Sequence, residues 1–370
     1  MKAFYCQNCG HTVVFENTIC ISCDRHLGYD PTRDRMVSVE ADGGGWRTHD
    51  AAPERYRFCK NWEMRGCNWL IALDSKEEFC EACRHNRTIP NISDPASAVA
   101  WQKIELAKRR LLYSLIKLGL PHPSAADEDP EPLIFDFLEP EHSRPVFTGH
   151  DCGVITISLA EADDAAREKT RQDMGEPYRT LLGHFRHEIG HYYWDRLVRD
   201  DNAIQQFRSM FGDERVDYEA SLKRHYEAGP PADWQDRYIS AYASTHPWED
   251  FAETFAHYLH IVDTLETGRA AGLTLRRADG KAAAVAFDPY RFPKMADMLD
   301  HWLDLAFALN NIARAMGQAD LYPFVISPTV SEKLGFVQTV IQSKADELTS
   351  HGESMQPHSM MAVAPRMNAG

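Results

Sequence analysis

Residues 184–192 read HFRHEIGHY, and within them His187, Glu188 and His191 form an H-E-x-x-H set. On a helix, positions i and i+4 lie one turn apart on one face, so both imidazoles can reach a single ion. Glu188 falls about 100° round from His187, beside such an ion rather than on it. A carboxylate in that position can take a proton from water activated by zinc, so the chemistry expected is zinc-assisted hydrolysis. Gly190, inside the set, weakens a helix by roughly 1 kcal/mol relative to Ala, and close approach of a second backbone explains its presence.

Two histidines do not complete a zinc site. The extended pattern H-E-x-x-H-x-x-G-x-x-H is excluded, because Trp194 and Leu197 stand at its Gly and final His places. The other solution is a Glu from a second helix. Residues 246–260, HPWEDFAETFAHYLH, fit that description. Glu249, Ala252, Glu253, Ala256 and His260 share one face, while Phe251, Phe255, Leu259 and Val262 supply an apolar one. The alanines allow close packing against the first helix. Glu249 is then the third ligand, and Glu253, one turn on, can accept the free ring N–H of a ligand His. Standing alone, the segment reads rather as an amphipathic helix with a solvated acidic stripe; paired with H-E-x-x-H, it reads as the ligand helix.

Tyr242, seven residues before Glu249, can donate to a developing oxyanion, although a Tyr at a helix–loop junction also serves packing. His184 is expected behind the metal ligands or in a structural role, since histidines at i, i+3 and i+7 span too much helix for one ion.

A second kind of metal chemistry is written into the cysteines. Eight of the nine precede residue 84. Cys6, Cys9, Cys20 and Cys23 make two C-x-x-C knuckles, a closed tetrahedral zinc set. Cys59, Cys67, Cys80 and Cys83 make a second, looser set in which His85 can compete. Four thiolates leave no open position, so these sites are expected to be structural. The N-terminus, MKAFYCQNCG, has no apolar stretch of the signal-peptide kind, so ligation rather than disulfide formation and a cytoplasmic location are expected.

The elements that would carry these residues follow from periodicity. Asp94 caps a helix running to about Leu120, with Pro95 at its first position and Ile104, Leu111, Leu115 and Leu118 at helical spacing. A Pro-rich acidic loop at 121–132 precedes two strand-like runs, Leu133–Leu138 and Gly153–Leu159 (GVITISL), the latter read as an exposed edge or a core strand. Beyond residue 161 the pattern is almost wholly helical. Breaks fall at Gly175-Glu176-Pro177, at Gly229-Pro230-Pro231 and near residue 272; Pro177 is expected to start the His187 helix. The expected division is a Cys-rich module at 1–90, too poor in apolar residues to fold without metal, a body at 94–350 and a disordered tail at 351–370. The fold class is α+β.

The charge balance narrows the partners. Of the net −15, residues 1–90 contribute only −1, from 12 Lys/Arg against 13 Asp/Glu. An acidic body argues against sequence-independent nucleic-acid binding, and no run of eighteen apolar residues suggests a membrane span.

HFRHEIGHYYWD followed by SAYASTHPWEDFAETF resembles the gluzincin metallopeptidases, and is similar to the lethal-factor type, where HExGH precedes a Tyr and an E-x-F-A-E segment. That resemblance implies Glu249 as zinc ligand and Tyr242 as oxyanion partner, on a zincin-type fold. From the Cys clusters to about residue 350, the chain also looks like a bacterial family of zinc-binding metallopeptidases with an N-terminal zinc ribbon. The resemblance implies a zinc-dependent endopeptidase acting on a peptide or protein. The competing expectation is an inactive zinc-binding adaptor that recruits partners through its ribbon.

Overall fold

The computed structural model describes residues 2–49, 52–140, 146–173, 180–200, 202–277, 279–280 and 282–350. The expected breaks and helix start at 175–177, and the expected tail at 351–370, lie outside these residues.

The N-terminal module opens with a two-stranded ribbon, β1 (Phe4–Tyr5) and β2 (Thr12–Val13). Five antiparallel strands follow in sequential order: β3 (His26–Asp30), β4 (Arg35–Asp42), β5 (Gly45–Arg47), β6 (Arg55–Phe58) and β7 (Leu70–Ala72). A bridge between Tyr29 and Trp69 draws the two ends of this sheet together. Val37, Val39, Tyr56, Phe58 and Leu70 form a small core of their own. The module thus carries a small apolar cluster beside its cysteine sets. Its apolar residues are few, but large aromatics bury much area each.

Nor is the module set apart from the body. Phe15, Tyr29 and Trp69 belong to the same buried cluster as Trp101 and Tyr113 of helix α1 (Pro95–Lys117). Phe15 meets Tyr113 at 5.5 Å between ring centroids. A Cβ on Gly66 would lie 2.3 Å from the Trp101 ring, so this position must be glycine for α1 to dock. As expected, Asp94 caps α1, accepting from Ser97 N at 2.8 Å, with Pro95 at its first position.

The body's sheet has the order β10-β11-β9-β8. Strands β8 (Asn86–Thr88), β9 (Ile134–Leu138) and β11 (Val154–Ser158) run parallel, while β10 (Gly149–Asp151) lies antiparallel on the rim. The GVITISL run is thus an interior strand, and its edge reading is corrected. The edge is the short β10, whose GHD sequence carries no β signal.

Helices α2 (Asp164–Asp173), α3 (Leu181–Leu197), α4 (Ile204–Phe211), α5 (Tyr218–Ala228), α6 (Trp234–Arg237), α7 (Pro247–Ala270), α8 (Met295–Ala315) and α9 (Pro328–Ser350) complete the described body. One hairpin, β12 (Thr274–Arg276) with β13 (Ala282–Ala284), interrupts what reads as a wholly helical stretch. Gly229, at φ 74°, ends α5 where the Gly-Pro-Pro break is expected. α7 runs through the core with Phe251, Phe255, Leu259 and Val262 fully buried. Glu249 and Asp250 are buried too, so the solvated-stripe reading of this helix does not hold.

Candidate active site

α3 begins at Thr180, whose hydroxyl accepts from Gly183 N at 3.0 Å. α7 begins at His246, whose Nδ1 accepts from Trp248 N at 3.1 Å, with Pro247 at the first helical position. Both helices therefore start at a fixed place, and they touch where Gly190 faces Ala252. A Cβ on Gly190 would lie 2.8 Å from Ala252 Cα and 3.0 Å from its carbonyl oxygen. No side chain fits there, which is the physical reason for glycine in mid-helix.

This contact brings three donor atoms together from two helices. His187 Nε2 and His191 Nε2 are 3.2 Å apart; Glu249 Oε2 lies 3.0 Å from the first and 3.5 Å from the second. Ligands at about 2.0–2.1 Å from a tetrahedral zinc sit roughly 3.3 Å from one another, so the three separations match the edges of such a site. Glu249 is 2% exposed, yet its Oε2 has no hydrogen-bond partner. A buried carboxylate oxygen without a donor is costly, and a cation at the centre of the triangle would satisfy it. Burial pushes the Glu249 carboxyl up, but His191 and His187 outweigh it and hold the group well below the usual carboxylate range.

Around this triangle the other residues take distinct places. His187 Nδ1 lies 2.7 Å from Glu253 Oε1, and Ser240 Oγ donates to Glu253 Oε2 at 2.6 Å. Burial raises the Glu253 pKa, but His187 outweighs it and the carboxyl falls to about 2, so it remains an acceptor. With Nδ1–H committed to Glu253, Nε2 is the ring nitrogen left to face a metal, which would take the place of any proton there. Glu188 is 8% exposed, and no hydrogen bond or ion pair ties it to another described residue. The Tyr242 ring lies 5.9 Å from that of His187, and burial together with the charge of Glu249 pushes its hydroxyl pKa up, keeping it a donor. His184 turns away: its Nδ1 sits 3.0 Å from Glu161 Oε2, joining α3 to the turn after β11. Its expected place behind the metal ligands is therefore corrected in favour of the structural one.

Both cysteine sets also converge. Sγ separations are 3.7 Å for Cys6–Cys23, 3.6 Å for Cys9–Cys20 and 3.6 Å for Cys67–Cys80. Zn–S bonds of about 2.3 Å place tetrahedral sulfurs roughly 3.8 Å apart, whereas a disulfide needs about 2.05 Å. Cys59 and Cys83 complete the second set. His85 is not among the converging donors: the four thiolates come together without it, and its Nδ1 lies 3.0 Å from the Leu133 carbonyl.

Comparison with known proteins is decisive at the level of family. Residues 97–340 match the family described as "Putative zinc-binding metallo-peptidase", and residues 3–94 match a zinc-ribbon domain. The chain belongs to this metallopeptidase family. It is 41% identical, over 351 residues, to proteins of Mycobacterium bovis and Mycobacterium tuberculosis that are named only as uncharacterized. The alignment covers 94% of this chain and 97% of each relative. No solved structure matches.

In this member of the metallopeptidase family, two neighbours of the site carry no signal in the sequence. Tyr218 donates to Glu249 Oε1 at 2.8 Å from 31 residues upstream. His150, on β10, stacks on His191 at 6.4 Å between centroids and 10° between planes, which sets the edge strand beside the triangle. Neither follows a helical or strand period, so only the tertiary fold makes them neighbours. Among the described residues, no helix is long and apolar enough to cross a membrane.

Proposed function

We propose that the protein is a zinc-dependent endopeptidase of the gluzincin type, with His187, His191 and Glu249 holding the catalytic zinc. The observation that carries the reading is the triangle of donor atoms at 3.0, 3.2 and 3.5 Å, closed by a buried oxygen that lacks a hydrogen-bond partner. Three protein ligands leave a fourth position open, which distinguishes this site from the two closed four-cysteine sets.

When bound, zinc supplies a Lewis acid that lowers the pKa of water toward neutrality and polarises a carbonyl. Glu188, beside the triangle and bound to no other described residue, takes the proton from water as it attacks the peptide carbonyl carbon. The C–N bond then breaks, and Glu188 returns the proton to the departing amine. Tyr242 donates to the oxyanion that forms on the carbonyl oxygen. Glu253 keeps His187 in the tautomer that offers Nε2. The rim strand β10 supports a substrate bound as an added strand, because among the described residues its outer edge has no neighbour in the sheet order. The substrate on this reading is an extended peptide or protein segment, not nucleic acid. Two sets of thiolates that must stay reduced favour the cytoplasm.

Glu188→Gln tests the reading directly. Full-length protein carrying it should keep wild-type zinc content and lose cleavage of a broad peptide library; comparison of protein termini in cells with either form then names the substrate. Cleavage retained by the variant refutes the mechanism, whereas zinc bound by a wild type that cleaves nothing favours the adaptor.

A further inference from the structure

A carboxylate can bind a metal through one oxygen or both, and the choice decides whether a metal with one open position is four- or five-coordinate. Glu249 has its two oxygens in different hands. Oε2 faces the imidazoles of His187 and His191, while Oε1 accepts from the Tyr218 hydroxyl at 2.8 Å. Tyr218 is the first residue of α5, and Asp217 caps that helix by accepting from Ala220 N at 2.9 Å.

The phenol is not free to swing away. Its ring meets His246 edge-on at 5.2 Å and Trp248 at 6.3 Å. His246 is also the residue that caps α7. Because its Nδ1 accepts from Trp248 N, its Nε2–H donates to the Val216 carbonyl at 3.1 Å. One imidazole thus ties the start of the helix that carries Glu249 to the segment that carries Tyr218. The donor and the carboxylate it restrains are built into one rigid corner.

We propose that Tyr218 is the positioning residue that holds Glu249 as a one-oxygen ligand and so keeps the metal four-coordinate, with three protein donor atoms and one open position. The inference rests on the zinc-triangle part of the proposed function and is independent of peptide hydrolysis. With the hydroxyl in place, rotation of Glu249 to present both oxygens costs a buried hydrogen bond to a charged acceptor. Without it, that restraint disappears and the second oxygen is free to turn to the metal.

Tyr218→Phe keeps the ring and its packing on His246 and Trp248, and removes the hydroxyl that donates to Glu249 and also pairs with Tyr242. The four-cysteine sites are left with zinc, and the exchangeable triangle site is loaded with cobalt. Absorption free of thiolate charge-transfer bands verifies the loading. The wild type should give the strong visible bands of four-coordinate cobalt, and the variant the weaker bands of five-coordinate cobalt. Metal affinity should also change by about tenfold or more, as for other partners of a metal ligand. An unchanged spectrum with unchanged affinity in Tyr218→Phe overturns the proposal. So does a five-coordinate spectrum in the wild type, a measurement that stands even if the variant fails to fold. Failure of the wild type to take cobalt at this site overturns the zinc triangle itself, which separates the two ideas.

Discussion

Replacing Gly190 with Ala tests whether the helix contact sets the metal geometry. The added Cβ would sit 2.8 Å from Ala252 Cα. Ordinary carbon contacts lie near 3.5–4.0 Å, so α3 and α7 must part by roughly 0.7 Å or more. His187 and His191 travel with α3, and Glu249, three residues before Ala252, travels with α7. A zinc site tolerates displacements of only about 0.2 Å. The donors would therefore be pulled apart by several times the permitted error. Overpacking costs about 1–3 kcal/mol, offset by roughly 1 kcal/mol of recovered helix propensity, so the metal-free protein should lose about 1 kcal/mol. The larger loss should be in the metal: hundredfold weaker zinc binding removes roughly 2.8 kcal/mol more at a fixed excess of zinc. Denaturant melts with and without zinc, together with competition titrations of the triangle site, measure both quantities. Gly335 in α9 supplies the control, since nothing lies within 4 Å of where its Cβ would be. Gly335→Ala should stabilise the protein by up to about 1 kcal/mol and leave zinc untouched. If Gly190→Ala behaves like Gly335→Ala in both measurements, the close contact does not govern the site and the reasoning is refuted.

Two further changes probe what surrounds the ligands. Glu253→Gln removes the anionic acceptor from His187 Nδ1, and zinc at the triangle should weaken roughly tenfold to a hundredfold; an unchanged affinity would show that the tautomer is fixed by something else. Deleting residues 2–90 should yield insoluble or aggregated chain, because Trp101 and Tyr113 lose the aromatics that bury them. A monodisperse, folded fragment on size exclusion would contradict the shared core.

What could be read from the sequence is what has a local cause. The H-E-x-x-H helix, the Glu249 helix and the two four-cysteine sets are patterns of spacing, and Asp94-Pro95 is a helix start written in adjacent residues. What could not be read is where pairing across space overrides local preference. β10 consists of Gly149, His150 and Asp151, poor strand formers that become a strand only because β11 offers them a ladder. Of the strands β3 to β7 all but β4 are short, and the two ends of the sheet meet through a Tyr29–Trp69 bridge that no periodicity records. Tyr218 and Glu249 meet across 31 residues, and His184 finds its partner in Glu161 rather than on its own helix face. The site's ligands are local in sequence; the groups that aim them are not.

The same distinction bears on why a ribbon and a hydrolase-like body share one chain. Asp34, at the turn between β3 and β4, accepts from Lys117 of α1 at 3.0 Å. Lys117 also contacts Glu266 of α7, to which Tyr113 donates at 2.9 Å. One residue along α1, Ser114 donates to Asp263 at 2.9 Å, and Asp263 contacts Arg186, the residue before His187. Charged groups therefore link the ribbon to both helices of the triangle through α1. A pair as buried as Arg186–Asp263 adds little net stability, but losing one partner strands the other at a cost of about 3–5 kcal/mol, whereas the part-exposed Asp34–Lys117 pair costs less to break. Such a network serves geometry more than stability: α1 cannot shift on the ribbon without disturbing α7 and α3 together. On that argument the ribbon is first a brace for the metal triangle, and any recruiting surface it offers is built on a part of the molecule that the triangle already requires.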